Sequence, residues 1–273
     1  EWEASSSIWL LDALIYEKKF ENFFLKNKYS EVMYLMEYQP WEQALNKVVK
    51  NSSNNTVTKA VNHSVIRPNL LSSFYGKYTH SKLYLPDFVG VNSHYAKTSM
   101  LQNGFKEEQV KGIEAQRFMY LLDVPLKEKA NSNSLLITTS LDFNETRELL
   151  ATFANVYENQ IFTNIYIKPH PNLPIKNIIQ SFEYFPTYTE LNISMQKAFE
   201  LADIIYTANS SSVLLESLAN NLKTITLFSL KNLPMPAINK HPSLFIATSK
   251  NELKEIISNI YFKKIKNKEV KNN

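Results

Sequence analysis

A chain of 273 residues with 44% hydrophobic and 12% aromatic side chains is long and apolar enough to bury two cores of ordinary domain size, which excludes a disordered protein. The absence of cysteine excludes a disulfide framework and any thiolate metal centre, and only 4 glycines leave neither a G-x-G-x-x-G fingerprint nor a Walker A loop. A net charge of +4 is small, and no ordered basic stripe interleaved with aromatics points to nucleic acid as a partner.

From Ser7 to Phe24 the apolar residues recur at helical spacing, which predicts an amphipathic helix or pair of helices. Val32 to Met36 is a short apolar run read as a buried strand, and Glu37 sits at its carboxyl end. Pro40 then opens a helix with Trp41 and Glu42 in its first turn, where a carboxylate also favours the helix dipole. Ligands of open α/β sheets collect outside the carboxyl ends of strands. Glu37 is therefore a candidate catalytic carboxylate, with an ion pair to a neighbouring strand as the other reading. Thr56 to Val61 reads as the next strand and delivers Asn62-His63-Ser64. His63 is a candidate general acid or sugar ligand there, or else a cap before an ordinary loop. Leu83 to Ser93 is a third strand region with Pro86-Asp87 early in it, followed by a helix from His94 to about Gln102 that stops at Asn103-Gly104. By position alone Asp87 is a turn residue. Val110 to Arg117 reads as a last strand and turn before a polar linker at residues 126–133, which sets expected domains at residues 1–125 and 134–273. The chain opens on Glu1-Trp2-Glu3 without the strands expected to begin such a domain, so the first domain is expected to be trimmed at its start.

Beyond the linker, strands and helices alternate. Ser134 to Thr139 is a strand, Asn144 to Asn159 a helix capped by Asn144, and Phe162 to Lys168 a strand that ends in Lys168-Pro169-His170-Pro171. Asp203 to Tyr206 is another, ending in Asn209-Ser210-Ser211-Ser212 and opening into the helical spacing of Val213 to Leu218. Thr224 to Phe228, a loop at Pro234-Met235-Pro236 and a closing helix from Asn251 to Phe262 complete the pattern of a parallel, doubly wound sheet. With glycine so scarce, phosphate would have to be held by Ser, His and helix ends, where N–H groups lack partners. The serine run is such a cradle or only an N-cap. Pro169 and Pro171 remove two donors and stiffen the backbone around His170, which aims its imidazole or merely ends a strand. Lys263, Lys264, Lys266, Lys268 and Lys271 form a solvated tail or a weak contact with an anionic membrane surface. No run approaches the roughly 20 apolar residues needed to span a bilayer.

Lys168-Pro169-His170-Pro171 together with Ser210-Ser211-Ser212 resembles the paired HP and SS motifs of bacterial glycosyltransferases that use CMP-activated ulosonic acids. The stretches Glu37-Tyr38-Gln39-Pro40-Trp41-Glu42 and Leu85-Pro86-Asp87-Phe88-Val89-Gly90-Val91-Asn92 are similar to surface-carbohydrate biosynthesis proteins, with the β-Kdo transferases nearest. The resemblance implies an α/β fold of two Rossmann-like doubly wound domains, the GT-B architecture. It implies a CMP-sugar donor, Kdo before sialic acid, held in the second domain by Lys168, His170, Pro171, Asn209, Ser210, Ser211 and Ser212. It also implies a glycan or glycolipid acceptor on the first domain, with Asp87 matching the attacking carboxylate and Glu37 and His63 as further catalytic candidates. No Asp-x-Asp is present, so the expected transfer uses neither metal nor other cofactor, in the cytoplasm or at the inner face of its membrane. Two alternatives stay open. One is a CDP-glycerol or CDP-ribitol polyol-phosphate transferase, whose family shares Lys-Pro-His-Pro; the other is a noncatalytic nucleotide- or glycan-binding subunit of the same fold. A nucleophile elbow and a glycine fingerprint are both missing, which argues against a hydrolase and an oxidoreductase.

Overall fold

The computed structural model describes residues 8–52, 55–67, 73–74, 83–123, 133–157, 161–228, 236–238 and 240–269. The chain forms two compact units, one of Glu1–Ile66 with Leu70–Met119 and one of Arg67–Asn69 with Tyr120–Asn273. The stretch expected as a linker, 126–133, lies outside the described residues except for Asn133.

The first unit runs α1 (Ile8–Lys26), β1 (Glu31–Leu35), α2 (Pro40–Asn51), β2 (Val57–Asn62), β3 (Phe88–Val91), α3 (His94–Gln102) and β4 (Val110–Gly112). Local signals place the helix ends. Pro40 occupies the first turn of α2, and the Glu42 carboxylate folds back to accept the Gln39 N–H at 2.9 Å. The Ser93 hydroxyl accepts from Ala96 N at 3.1 Å, and Gly104 leaves α3 at φ 102, where a Cβ would be strained. The strands are parallel in the order β1-β2-β3-β4. A sheet wound in one direction carries its right-handed crossover helices on one face. Accordingly Tyr34, Ala60, Val89 and Val91 share a core with Phe24 of α1, Leu45 and Val49 of α2 and Met100 of α3. The opposite face leaves Met33 67% and Leu35 53% exposed.

The second unit runs β5 (Ser134–Thr138), α4 (Phe143–Val156), β6 (Asn164–Lys168), α5 (Lys176–Gln180), β7 (Thr189–Glu190), α6 (Met195–Leu201), β8 (Ile204–Ala208), α7 (Val213–Ala219), β9 (Lys223–Leu227), β10 (Leu244–Ala247) and α8 (Lys250–Glu269). Its parallel sheet has the order β10-β9-β8-β5-β6-β7. The chain therefore winds outward from β5 to β7, then returns to the other side of β5 and winds outward again. Both faces are covered, as a parallel sheet requires. Leu135 and Ile137 pack with Leu149, Phe153 and Leu253, while Leu136 and Ile205 pack with Ala198 and Phe199. The α/β class and the two parallel sheets agree with the alternation read from the sequence. One expectation is corrected: α4 is capped by Asp142, whose carboxylate accepts from Glu145 N at 2.7 Å, and not by Asn144, which lies inside the helix.

Candidate functional site

The reversal of winding puts a switch point between β5 and β8, the place in a doubly wound sheet where the loops at the strand ends part and leave a crevice. The register brings both sequence motifs to its rim. Thr138 at the end of β5 stands beside Lys168 of β6 on one side and Thr207 of β8 on the other. Lys168-Pro169-His170 and Asn209-Ser210-Ser211-Ser212 thus flank Thr138-Thr139-Ser140, separated by two strand spacings, or about 10 Å. Thr138 Oγ1 donates to Thr207 Oγ1 at 2.7 Å below the rim. The Thr139 hydroxyl accepts the His170 N–H at 3.0 Å, which fixes the histidine backbone to β5. His170 Nδ1 accepts the Asn172 N–H at 3.2 Å, so the geometry assigns the ring proton to Nε2 and leaves that nitrogen to donate. Lys168 is half-buried and makes no ion pair among the described residues. Pro171, also expected at the donor site, is exposed.

The serine cluster is engaged in an unexpected way. Ser210 donates through both its N–H, at 3.1 Å, and its hydroxyl to the carboxylate of Glu145, in the first turn of α4. Ser212 Oγ donates to Glu216 Oε1 at 2.8 Å, and the Tyr120 hydroxyl donates to the other Glu216 oxygen. Ser211 Oγ accepts from Val213 N at 3.2 Å, one residue before the N-cap position of α7, which Ser212 occupies. Asn209 Nδ2 donates to Leu227 O at 3.1 Å and ties the loop to β9. The α7 helix has 7 residues, so its dipole is short, and hydroxyls and His170 must supply most of the attraction for an anion. Glu145 and Glu216 were not among the residues singled out from the sequence. Glu216 had a readable signal, since it follows Ser212 by four positions on one helix. Glu145 had none, because 65 residues separate it from its partner.

In the first unit, Glu37 and His63 meet beyond the ends of β1 and β2. His63 Nε2 lies 3.8 Å from Glu37 Oε1, and His63 Nδ1 is buried without a partner. Tyr38 follows at φ 61, turning the chain out of β1 toward α2. Asp87 is not part of this group. Its Oδ2 accepts from Thr58 N at 2.8 Å and Thr58 Oγ1 at 2.9 Å, and its own N–H donates to Thr58 O at 3.0 Å. Thr58 is the second residue of β2 whereas His63 follows its end, about 16 Å along the strand. Asp87 thus stands apart from Glu37 and His63 and ties the start of β3 to the amino-terminal end of its neighbour β2. Asp87→Ala is expected to cost about 1–3 kcal/mol in denaturant unfolding and to leave ligand binding in the second unit unchanged.

Glu42 is buried, and burial raises its carboxyl above the ordinary glutamate range, although the backbone N–H groups of Gln39 and Glu37 pull the other way. The folded state then holds this proton more tightly than the unfolded chain, so stability falls as pH rises from the ordinary value through the raised one. Glu42→Gln keeps an oxygen for the two N–H groups and removes the charge. Denaturant midpoints taken from acid to neutral pH should fall less steeply in this variant than in the parent protein.

Among the described residues no three His, Asp or Glu come together as a metal-ligand set, and no helix is long and apolar enough to cross a membrane. The side chains of the lysine-rich end lie outside the described residues. No protein-family model matches the chain, and no curated protein sequence matches it. Solved structures do share its fold. Staphylococcus aureus MnaA in complex with UDP aligns with 92% of this chain and 72% of its own at 13% identity and a TM-score of 0.61. Anabaena Alr3699/HepE in complex with UDP aligns with 89% of this chain and 71% of its own at 11% identity and a TM-score of 0.51. UDP-N-acetylglucosamine 2-epimerase from Rickettsia bellii aligns with 81% of this chain and 62% of its own at 15% identity and a TM-score of 0.53. At identities this low the superpositions show a common fold alone, two Rossmann-like units of the GT-B architecture.

Proposed function

We propose that this chain binds a nucleotide-activated sugar at the switch point of its second unit and transfers the sugar to a glycan acceptor without a metal ion. The observation that carries this reading is the placement of Lys168-Pro169-His170 and Asn209-Ser210-Ser211-Ser212 on either side of Thr138-Thr139, at the carboxyl ends of adjacent strands. When the bond between anomeric carbon and phosphate breaks, negative charge grows on the leaving phosphate, where fixed donors contribute most. His170 Nε2–H, the Lys168 ammonium and the serine hydroxyls are the donors this rim offers. The donors of Ser210 become available when Glu145 yields them to the incoming phosphate. When ionised, Glu145 and Glu216 act as acceptors alone and suit the paired hydroxyls of a ribose. In the first unit, Glu37 and His63 are the candidates to exchange a proton with an acceptor hydroxyl.

The motif resemblance favours a CMP-linked ulosonic acid, Kdo or sialic acid. MnaA and HepE, whose structures hold UDP, favour a uridine nucleotide. A pyrimidine nucleotide is common to both. Calorimetric titration with CMP, UDP, CDP and GDP tests the reading: a pyrimidine nucleotide should bind tightest, and a preference for GDP or a lack of any binding would contradict it. Tighter binding of CDP-glycerol than of CMP- or UDP-sugars would select the polyol-phosphate alternative.

A further inference from the structure

A cavity of about 320 Å³ lies wholly within the first unit, on the helix-covered side of β1. Tyr34, Met36 and Tyr38 wall it from β1 and its continuation, Gln43 and Asn46 from α2, and Leu85 with Pro86 from the segment that leads into β3. Neither Glu37 nor His63 lines it. Its volume falls at the lower end of the range of ligand pockets, about 300–1,000 Å³, which suits a single small ring.

The lining chemistry selects the ligand. No Lys, Arg or His stands among the described lining residues, and the carboxylate present, Glu42, is occupied by the N–H groups of Glu37 and Gln39. A phosphate or carboxylate would therefore meet no cation and one anion. The remaining polar groups are amides and phenols. Asn46 Nδ2 donates to Tyr34 Oη and to Glu42 O, both at 2.8 Å, which fixes the orientation of the side-chain amide. Its Oδ1 is left without a donor in a residue only 1% exposed. A buried acceptor in that state is unfavourable until a hydroxyl reaches it. Tyr34 Oη accepts from Asn46 and keeps its own proton to give. Beside this acceptor and donor stand the tyrosine rings and the apolar wall of Met36, Leu85 and Pro86, surfaces that match the C–H face of a sugar ring.

We propose that this cavity binds one neutral pyranose residue, with a ring hydroxyl donating to Asn46 Oδ1 and another accepting from Tyr34. The proposal goes beyond the nucleotide site of the second unit and stands whether or not that site takes a nucleotide sugar.

Saturation-transfer NMR and calorimetry with methyl glucopyranoside, N-acetylglucosamine and, as the charged control, gluconate test it. A neutral pyranose should saturate the protein, and gluconate should not compete. Asn46→Leu should weaken the binding at least about tenfold. Gln43→Trp, which puts a large ring in place of a half-exposed lining side chain and gives up its bond to Tyr84 N, should abolish it while leaving circular dichroism and nucleotide titrations as in the parent protein. The absence of binding by either neutral sugar would overturn the proposal. So would binding that survives Gln43→Trp, or equal competition by gluconate.

Discussion

Replacing His170 with alanine is expected to weaken nucleotide binding roughly 10- to 150-fold, the loss of one hydrogen bond to a charged group. The expectation rests on how completely the surroundings fix this side chain. Pro169 and Pro171 restrict the backbone on either side. The His170 N–H is held by Thr139 Oγ1, and Nδ1 is held by the Asn172 N–H. Nε2 is then a donor with little rotational freedom to lose when a phosphate oxygen arrives. Because the imidazole is half-buried and, among the described residues, contributes the turn contact to Asn172 alone, the variant should unfold at nearly the parent temperature. Calorimetry with the tightest-binding nucleotide, alongside thermal unfolding, separates the two effects. An unchanged affinity would remove His170 from the site.

Phe153→Ala is expected to cost the second unit about 3–5 kcal/mol, measured by denaturant unfolding. Phe153 is fully buried on the inner face of α4. Its ring lies 5.3 Å from that of Tyr157, 6.2 Å from Phe185 and 6.1 Å from Tyr206. Removing it opens a cavity under β8 and leaves three aromatic neighbours without their common partner. Tyr206, whose hydroxyl donates to Leu149 O at 3.3 Å, is also held by α4, so the substitution loosens the helix that presents Asp142 and Glu145 at the site. A cost below about 1 kcal/mol would show that α4 does not carry this core.

The strands that position the site were readable because both faces of a parallel sheet are buried, which makes each strand a short continuous apolar run. Leu135-Leu136-Ile137 and Ile204-Ile205-Tyr206 are such runs, and both became central strands. The elements missed are those whose patterns are too short to show a period. The α5 and α6 helices have 5 and 7 residues, and β7 has 2, with both of its residues exposed. The β10 strand, Leu244–Ala247, is only partly buried at the sheet edge. The loop expected at Pro234-Met235-Pro236 lies outside the described residues except for Pro236.

The site was legible one motif at a time. His170 and the serines stood out because Pro-His-Pro and three adjacent serines are uncommon at strand ends, yet their sharing of one rim depends on strand order, which local pattern does not encode. That order also brings Glu145 onto Ser210. Asp87 shows the converse. Its resemblance-based role depended on a loose local match, whereas its position is set by pairing with Thr58 across 29 residues of chain.

The most direct measurement is an amide chemical-shift titration of the isotopically labelled chain with the nucleotide that binds tightest in calorimetry. The nucleotide is expected to shift the resonances of Thr138 to Ser140, Lys168 to Asn172 and Asn209 to Val213, including the Ser210 N–H as it leaves Glu145. Shifts confined to the first unit, or none at saturating nucleotide, would contradict the placement of a nucleotide site at the switch point.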